Sequence, residues 1–177
     1  MYPFARMASV LWKARRSPAA QFTDATTCSF YAHPWDMDMF LEMNNGRHLT
    51  LYDLGRFDLS IKCGLAKTLK HQKWGLVVAG SSVRFRKRIF AFQKVTMTTQ
   101  LVGIDHRWFY IQQSMAVNGE PCSTAVFRTG VTEKGRTVLT ERVINALDEP
   151  DFELNPPEWV QAWIDADNTR PWPPEFL

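Results

Sequence analysis

The segment Arg47–Cys63 constrains the fold of this chain more than any other. At helical spacing, Leu51, Leu54, Asp58 and Ile61 fall on one line and Leu49, Tyr52, Gly55 and Leu59 on others, while Asp53, Arg56 and Lys62 leave only a polar strip. A helix that is apolar around most of its circumference must be covered on most sides. Gly55 sits in its interior, where glycine costs about 1 kcal/mol relative to alanine, so another backbone is expected to approach closely there. Gly64 suits the end of this helix, where a left-handed residue closes the last turn.

Strands supply the cover. Cys28–Pro34 alternates imperfectly upstream of the helix. Downstream, Val77, Ala79, Val83 and Phe85 share one parity in a strand from Leu76 to Lys87, and Val95, Met97 and Leu101 mark a second strand. Phe109, Ile111, Met115 and Val117 mark a third, which the hairpin signal Asn118-Gly119 ends. Ala125, Phe127 and Val131 mark a fourth, ended by Lys134-Gly135. One strand, one long helix and four strands on short connections describe an α+β fold, an antiparallel sheet laid against the helix. Ala66–Lys73 is a short basic helical or loop piece, and Leu139–Leu147 a closing helix. Pro157 starts a further helix, Glu158–Ala166, which Trp159 and Trp163, four residues apart, would dock. The organisation is therefore an N-terminal extension and linker (1–25), a central domain (26–147) and an acidic tail rich in proline and tryptophan (148–177).

Charge narrows the partners. The net charge of +3 over 177 residues does not imply nucleic acid, and no basic–aromatic interleaving supports it. Cys28, Cys63 and Cys122 are odd in number, widely spaced and without a CxxC, which suits reduced thiols in a cytoplasmic protein rather than a disulfide framework or zinc. No stretch is long and apolar enough to span a bilayer. Phe4, Met7, Ala8 and Leu11 share one face of a short basic helix. Residues 1–16 would thus either touch a membrane peripherally or pack on the domain, and packing is the commoner use of such a helix.

Candidate chemistry gathers just before the long helix. Asp36 and Asp38 precede the polar triplet Asn44-Asn45-Gly46 and then Arg47 and His48. A carboxylate beside a helix N-terminus, where unpaired N–H groups favour negative charge, is the minimum equipment for acyl transfer. The same residues have plain structural uses: aspartate and asparagine cap helices and close turns, and a lone helical histidine is usually a packed side chain. No P-loop, GxGxxG, GxSxG or HExxH motif is present.

The stretch Asp36-Met-Asp38-Met-Phe-Leu-Glu-Met-Asn44-Asn45-Gly46-Arg47-His48-Leu49 resembles the hot-dog-fold acyl-CoA thioesterases, in particular the 4-hydroxybenzoyl-CoA thioesterase-like branch, with its pattern D-x-D-x-x-x-H-x-N-N-x-R-Y. The resemblance runs from about Thr26 to Leu147 and implies a bent antiparallel sheet wrapped around the central helix. Two such protomers would pair edge to edge, as a homodimer or a tetramer, with active sites at the interface. Asp38 matches the family's catalytic carboxylate, a general base or nucleophile. Asn45 stands where relatives position substrate or water, and the amides of Asn45, Gly46 and Arg47 would face the thioester oxygen. Arg84, Arg86, Lys87 and Arg88 would suit the phosphates of coenzyme A, their structural use being a solvated strand edge. Glu42 replaces the family's histidine and His48 its tyrosine, and His48 is a candidate general base or polar contact. The expected activity is hydrolysis of an acyl-CoA to an acid and free coenzyme A, with no metal or other cofactor. The alternative is a hot-dog protein that binds acyl-CoA, acyl carrier protein or a lipid without cleaving it. A dehydratase, which would need a facing histidine, ranks below both.

Overall fold

A computed structural model describes residues 2–148 and 152–175; Glu149 and Asp151 of the acidic stretch and the two chain ends lie outside the described residues. The long helix, α2 (Asn45–Lys62), starts two residues earlier than expected because Asn44 caps it, its side chain accepting from the Gly46 and Arg47 amides. Leu51, Tyr52 and Leu54 are fully buried. Around α2 runs one antiparallel sheet in the order β1 (Thr26–Tyr31), β3 (Lys94–Ile104), β4 (Phe109–Val117), β5 (Glu120–Glu133) and β2 (Gly75–Phe85). This is the hot-dog arrangement the resemblance implied. A three-residue β6 (Arg136–Val138), too short to announce itself by alternation, pairs with the end of β5.

Gly55 marks where α2 crosses the sheet. A Cβ there would lie 2.2 Å from Thr99 Oγ1, 2.5 Å from Gln113 Nε2 and 2.6 Å from Met97 Sδ. The close neighbours are therefore side chains of β3 and β4, not the backbone expected from sequence. Gly64, at φ +81°, ends α2 and leads into α3 (Leu65–Gln72).

The terminal extensions pack on opposite sides. Helix α1 (Phe4–Ala14) buries Met7 and Val10 within the core around α2 and also buries Ala14, leaving Phe4 and Trp12 exposed. Its apolar face is thus used inside the protein. Helix α4 (Thr140–Asn145) packs where β6 meets the end of β5, its Val143 and Ile144 joining Val131 and Val138. Helix α5 (Glu158–Asn168) lies on the outer sheet face, where Val160 and Ile164 cover Tyr110 and Val126. Trp163 joins that contact, but Trp159 is 51% exposed and does not dock the helix. Strands β1 and β2 are the two edges of the sheet among the described residues, and β2 leaves Leu76, Val77, Val78 and Phe85 exposed.

Candidate functional site

The loop between β1 and α2 is held by one buried carboxylate. Asp36, at 0% exposure, accepts two hydrogen bonds from Arg6 of α1 (2.6 and 2.8 Å), one from Arg47 Nε (2.5 Å) and one from the His33 amide (2.8 Å). Burial alone would raise its pKa, but these donors outweigh it and hold the carboxyl at about 2. The Asp36 carbonyl also accepts the Asn44 amide, which ties the loop to the cap of α2.

Asp38 differs. It is half-buried, its Oδ1 accepts the Phe40 amide at 2.8 Å, and its Oδ2 has no partner among the described residues. The loop turns at once: the Asp38 amide donates to the Glu42 carbonyl, and Met37 bridges to Met43. Glu42 and Met43 then line a cleft of about 160 Å³ at the start of α2, together with Asn45, His48, Phe85, Arg86, Lys87, Arg88 and Ile89. The structure therefore brings together Asn45, His48, Arg86, Lys87 and Arg88. It places Asp38 in the loop bordering this cleft, outside its lining. Gly46 and Arg47 lie in the first turn of α2, their amides turned to the Asn44 cap. Arg84 leaves the group: on β2 it points opposite to Phe85, into a polar groove beside Trp159 and Trp163. Arg86 instead follows the end of the strand, where the Arg86 and Lys87 amides both donate to the Cys122 carbonyl and the alternation is broken. Glu42 forms an ion pair with Arg88 at 2.6 Å.

His48 is buried at 4% exposure, and burial lowers its pKa to about 4. Its Nδ1 lies 3.0 Å from Ser123 Oγ, which lies 2.8 Å from the Tyr52 hydroxyl. Nothing in the sequence marked Ser123, which occupies an unremarkable strand position. A second, apolar cavity of about 270 Å³ opens farther along α2, between Phe57, Leu59, Ile111 and Val131 and the first half of β2, Leu76, Val77 and Val78. At its rim Tyr2 donates to Asp53, which pairs with Arg56.

The model of the thioesterase-like superfamily matches residues 32–177. The chain is 29% identical over 145 residues to the protein THEM6 of Drosophila melanogaster, covering 81% of this chain and 74% of that one. Among solved structures, DHNA-CoA thioesterase from Staphylococcus aureus aligns with a TM-score of 0.64 at 18% identity, over 81% of this chain and 95% of that one. The hypothetical protein SAV2348 of the same organism, solved in complex with CoA, aligns at 0.61 and 14% identity, over 80% and 94%. At these identities the solved structures speak for the fold.

Proposed function

Because this chain belongs to the thioesterase-like superfamily, we propose that it hydrolyses acyl-CoA thioesters in the cleft at the start of α2. One observation carries the reading: Asn45, His48 and the three cations Arg86, Lys87 and Arg88 share a cavity at a helix N-terminus, beside the loop that bears Asp38. The cations suit the phosphates of coenzyme A. In the proposed step the unpartnered Asp38 Oδ2 takes a proton from water as the water oxygen attacks the thioester carbon. The intermediate collapses with cleavage of the C–S bond, the departing thiolate taking up that proton as free coenzyme A. In the other route Oδ2 attacks the carbon itself and expels the thiolate to give an anhydride, which water cleaves to the acid and the restored carboxylate while the thiolate is protonated. The Asn45 amide, which the Asn44 cap does not take up as it does those of Gly46 and Arg47, stabilises the oxyanion, a donor of this kind contributing roughly 3 kcal/mol.

A homodimer would complete the site. Val77, at the apolar cavity, and Phe85, at the cleft, are eight residues apart on β2, roughly 25 Å along a strand. The two spaces come closer along α2, where His48 at the cleft and Asp53 at the cavity are five residues apart, roughly 8 Å along a helix. The free edge of β2 suits antiparallel pairing with its own copy. Centred near Ser81, such pairing would put Phe85 opposite Val77 of the partner subunit. The cleft of one protomer would then adjoin the apolar cavity of the other, which supplies room for the acyl chain.

The test is free-thiol release from a panel of short-chain, long-chain and aromatic acyl-CoAs, with sedimentation to read the oligomer. Turnover of at least one class by a dimer or larger assembly is expected. The Glu42–Arg88 ion pair favours a second reading, since it sets a carboxylate in the cleft where an oxyanion would form. On that reading the protein binds acyl-CoA without cleaving it; saturable binding with no thiol release across the panel would establish it.

A further inference from the structure

The polar chain behind the cleft has a direction. Tyr52 is fully buried, and its hydroxyl has one partner among the described residues, Ser123 Oγ. Ser123, 1% exposed, reaches in turn to His48 Nδ1. A phenol and an alcohol each carry one hydrogen. If Ser123 donated to Tyr52, the phenol hydrogen would be stranded in the core, where an unmet donor is costly. If His48 Nδ1 donated to Ser123, the serine hydrogen would be stranded instead. Tyr52 to Ser123 to His48 Nδ1 is the one order that places every hydrogen. Nδ1 is then an acceptor, and the neutral ring carries its proton on Nε2.

We propose that His48 is an electrophilic catalytic residue, a neutral Nε2–H donor to the thioester carbonyl oxygen in the cleft, with Ser123 and Tyr52 as positioning residues that fix its tautomer. This rests on the hydrolase reading above. The ring lines the same cleft as Asn45, one turn earlier on α2, and the Phe85 ring meets it edge-on at a centroid distance of 5.1 Å. Nε2 has no protein partner among the described residues, so its hydrogen is left for a bound group. Burial keeps the ring uncharged well below neutrality, so no imidazolium desolvation opposes binding. The same chain excludes His48 as a general base: Nδ1 is occupied and Nε2 already holds a proton, leaving no lone pair for water. The neutral donor strengthens its hydrogen bond as the carbonyl oxygen gains charge, a contribution larger in the transition state than in the bound substrate.

Two measurements on the full chain test this. Nitrogen-15 NMR of histidine-labelled protein at pH 7 should report the Nε2–H tautomer for His48, and Ser123→Ala should weaken that preference. In kinetics, His48→Gln preserves an amide N–H donor and should retain kcat within about tenfold. His48→Phe removes the donor and should lose about 10²- to 10³-fold in kcat, the usual consequence of deleting one oxyanion donor, with KM little changed. An Nδ1–H tautomer in the unmodified protein, or equal losses in the two variants, overturns the proposal. Should the protein release no thiol from any acyl-CoA, the hydrolase reading falls by itself. The two variants are then compared by affinity for an acyl-CoA ketone analogue with methylene in place of sulfur. Weaker binding by His48→Phe alone supports the donor, and equal binding refutes it.

Discussion

Asp36 and Asp38 stand two residues apart on one loop, and the protein treats them in opposite ways. Asp36 is fully enclosed and takes four hydrogen bonds from three places: α1, the first turn of α2 and His33 in the loop after β1. Asp38 is half-exposed, takes one hydrogen bond from its own loop and keeps an oxygen unpartnered among the described residues. A carboxylate that is fully satisfied is a fastener; its charge is committed and its pKa held low. A carboxylate meant to accept a proton or attack carbon must be underpaired and reachable. The first makes the second possible, since the Asp36 clamp fixes both ends of the short loop that presents Asp38.

The largest separation of the two roles should come from Asp38→Asn. It should lower kcat by about 10²- to 10⁴-fold, the range spanned by a positioned general base, while the thermal midpoint stays within a degree or two because only one local hydrogen bond is at stake. Thiol release and a melting curve on the same preparation measure both. Unchanged turnover would remove Asp38 from the mechanism and break the contrast.

Asp36→Asn should invert that pattern. It leaves the Arg6 and Arg47 guanidinium groups facing each other in a largely enclosed site. Removing one partner of a buried ion pair typically costs about 3–5 kcal/mol, so denaturant titration should find most of the loss in stability. If stability holds and only turnover falls, Asp36 is part of the chemistry and the comparison has been drawn the wrong way round.

The difference between the two aspartates was only partly legible in the sequence. The D-x-D spacing and the asparagine cap mark the loop, and the alternation of β3 to β5 with the all-round apolar character of α2 mark the sheet and what it covers. Nothing local marks Arg6, thirty residues from Asp36 in sequence, as its partner; a basic residue on a short amphipathic helix reads equally as a solvated or membrane-facing charge. The Tyr52–Ser123–His48 chain is hidden for the same reason, being an encounter of α2 with a strand more than 70 residues away. Proximity groups Arg84 with Arg86, Lys87 and Arg88, but β2 ends at Phe85, where the Arg86 and Lys87 amides both donate to the Cys122 carbonyl, and that break in the ladder turns Arg86 away from the face Arg84 keeps. In α5 the tryptophans drew attention by size, yet Val160 and Ile164, on the adjoining helical positions, carry the contact.

A smaller effect should follow from Arg6→Ala. Asp36 keeps Arg47 and the His33 amide, so the loss should be about 1.5–3 kcal/mol, the range for hydrogen bonds to a charged group. Turnover should fall modestly, with KM nearly constant, because α1 reaches the reacting carboxylate only through the loop. Loss of activity without any loss of stability would mean that α1 contacts substrate directly.

The mildest expected effect is on acid sensitivity, and its sign is fixed by the direction of the Asp36 shift. The folded carboxyl sits near 2 against an ordinary 3.8, so between those values the unfolded chain binds the extra proton and stability rises with pH. The contribution is complete above about pH 4 and drains away as pH falls toward 2, amounting to about 2 kcal/mol. His48 acts in a higher window. Its folded pKa of about 4, against an ordinary 6.5, removes stability as pH falls from 6.5 to 4, and it does so equally in the parent and in Asp36→Asn. The stability gap between those two proteins should therefore stay constant from pH 7 to about 4 and narrow below it. A gap that narrows already between pH 6 and 5 would mean that Arg6, Arg47 and the His33 amide do not hold the Asp36 carboxyl low, and Asp36 would not be the fastener that sets it apart from Asp38.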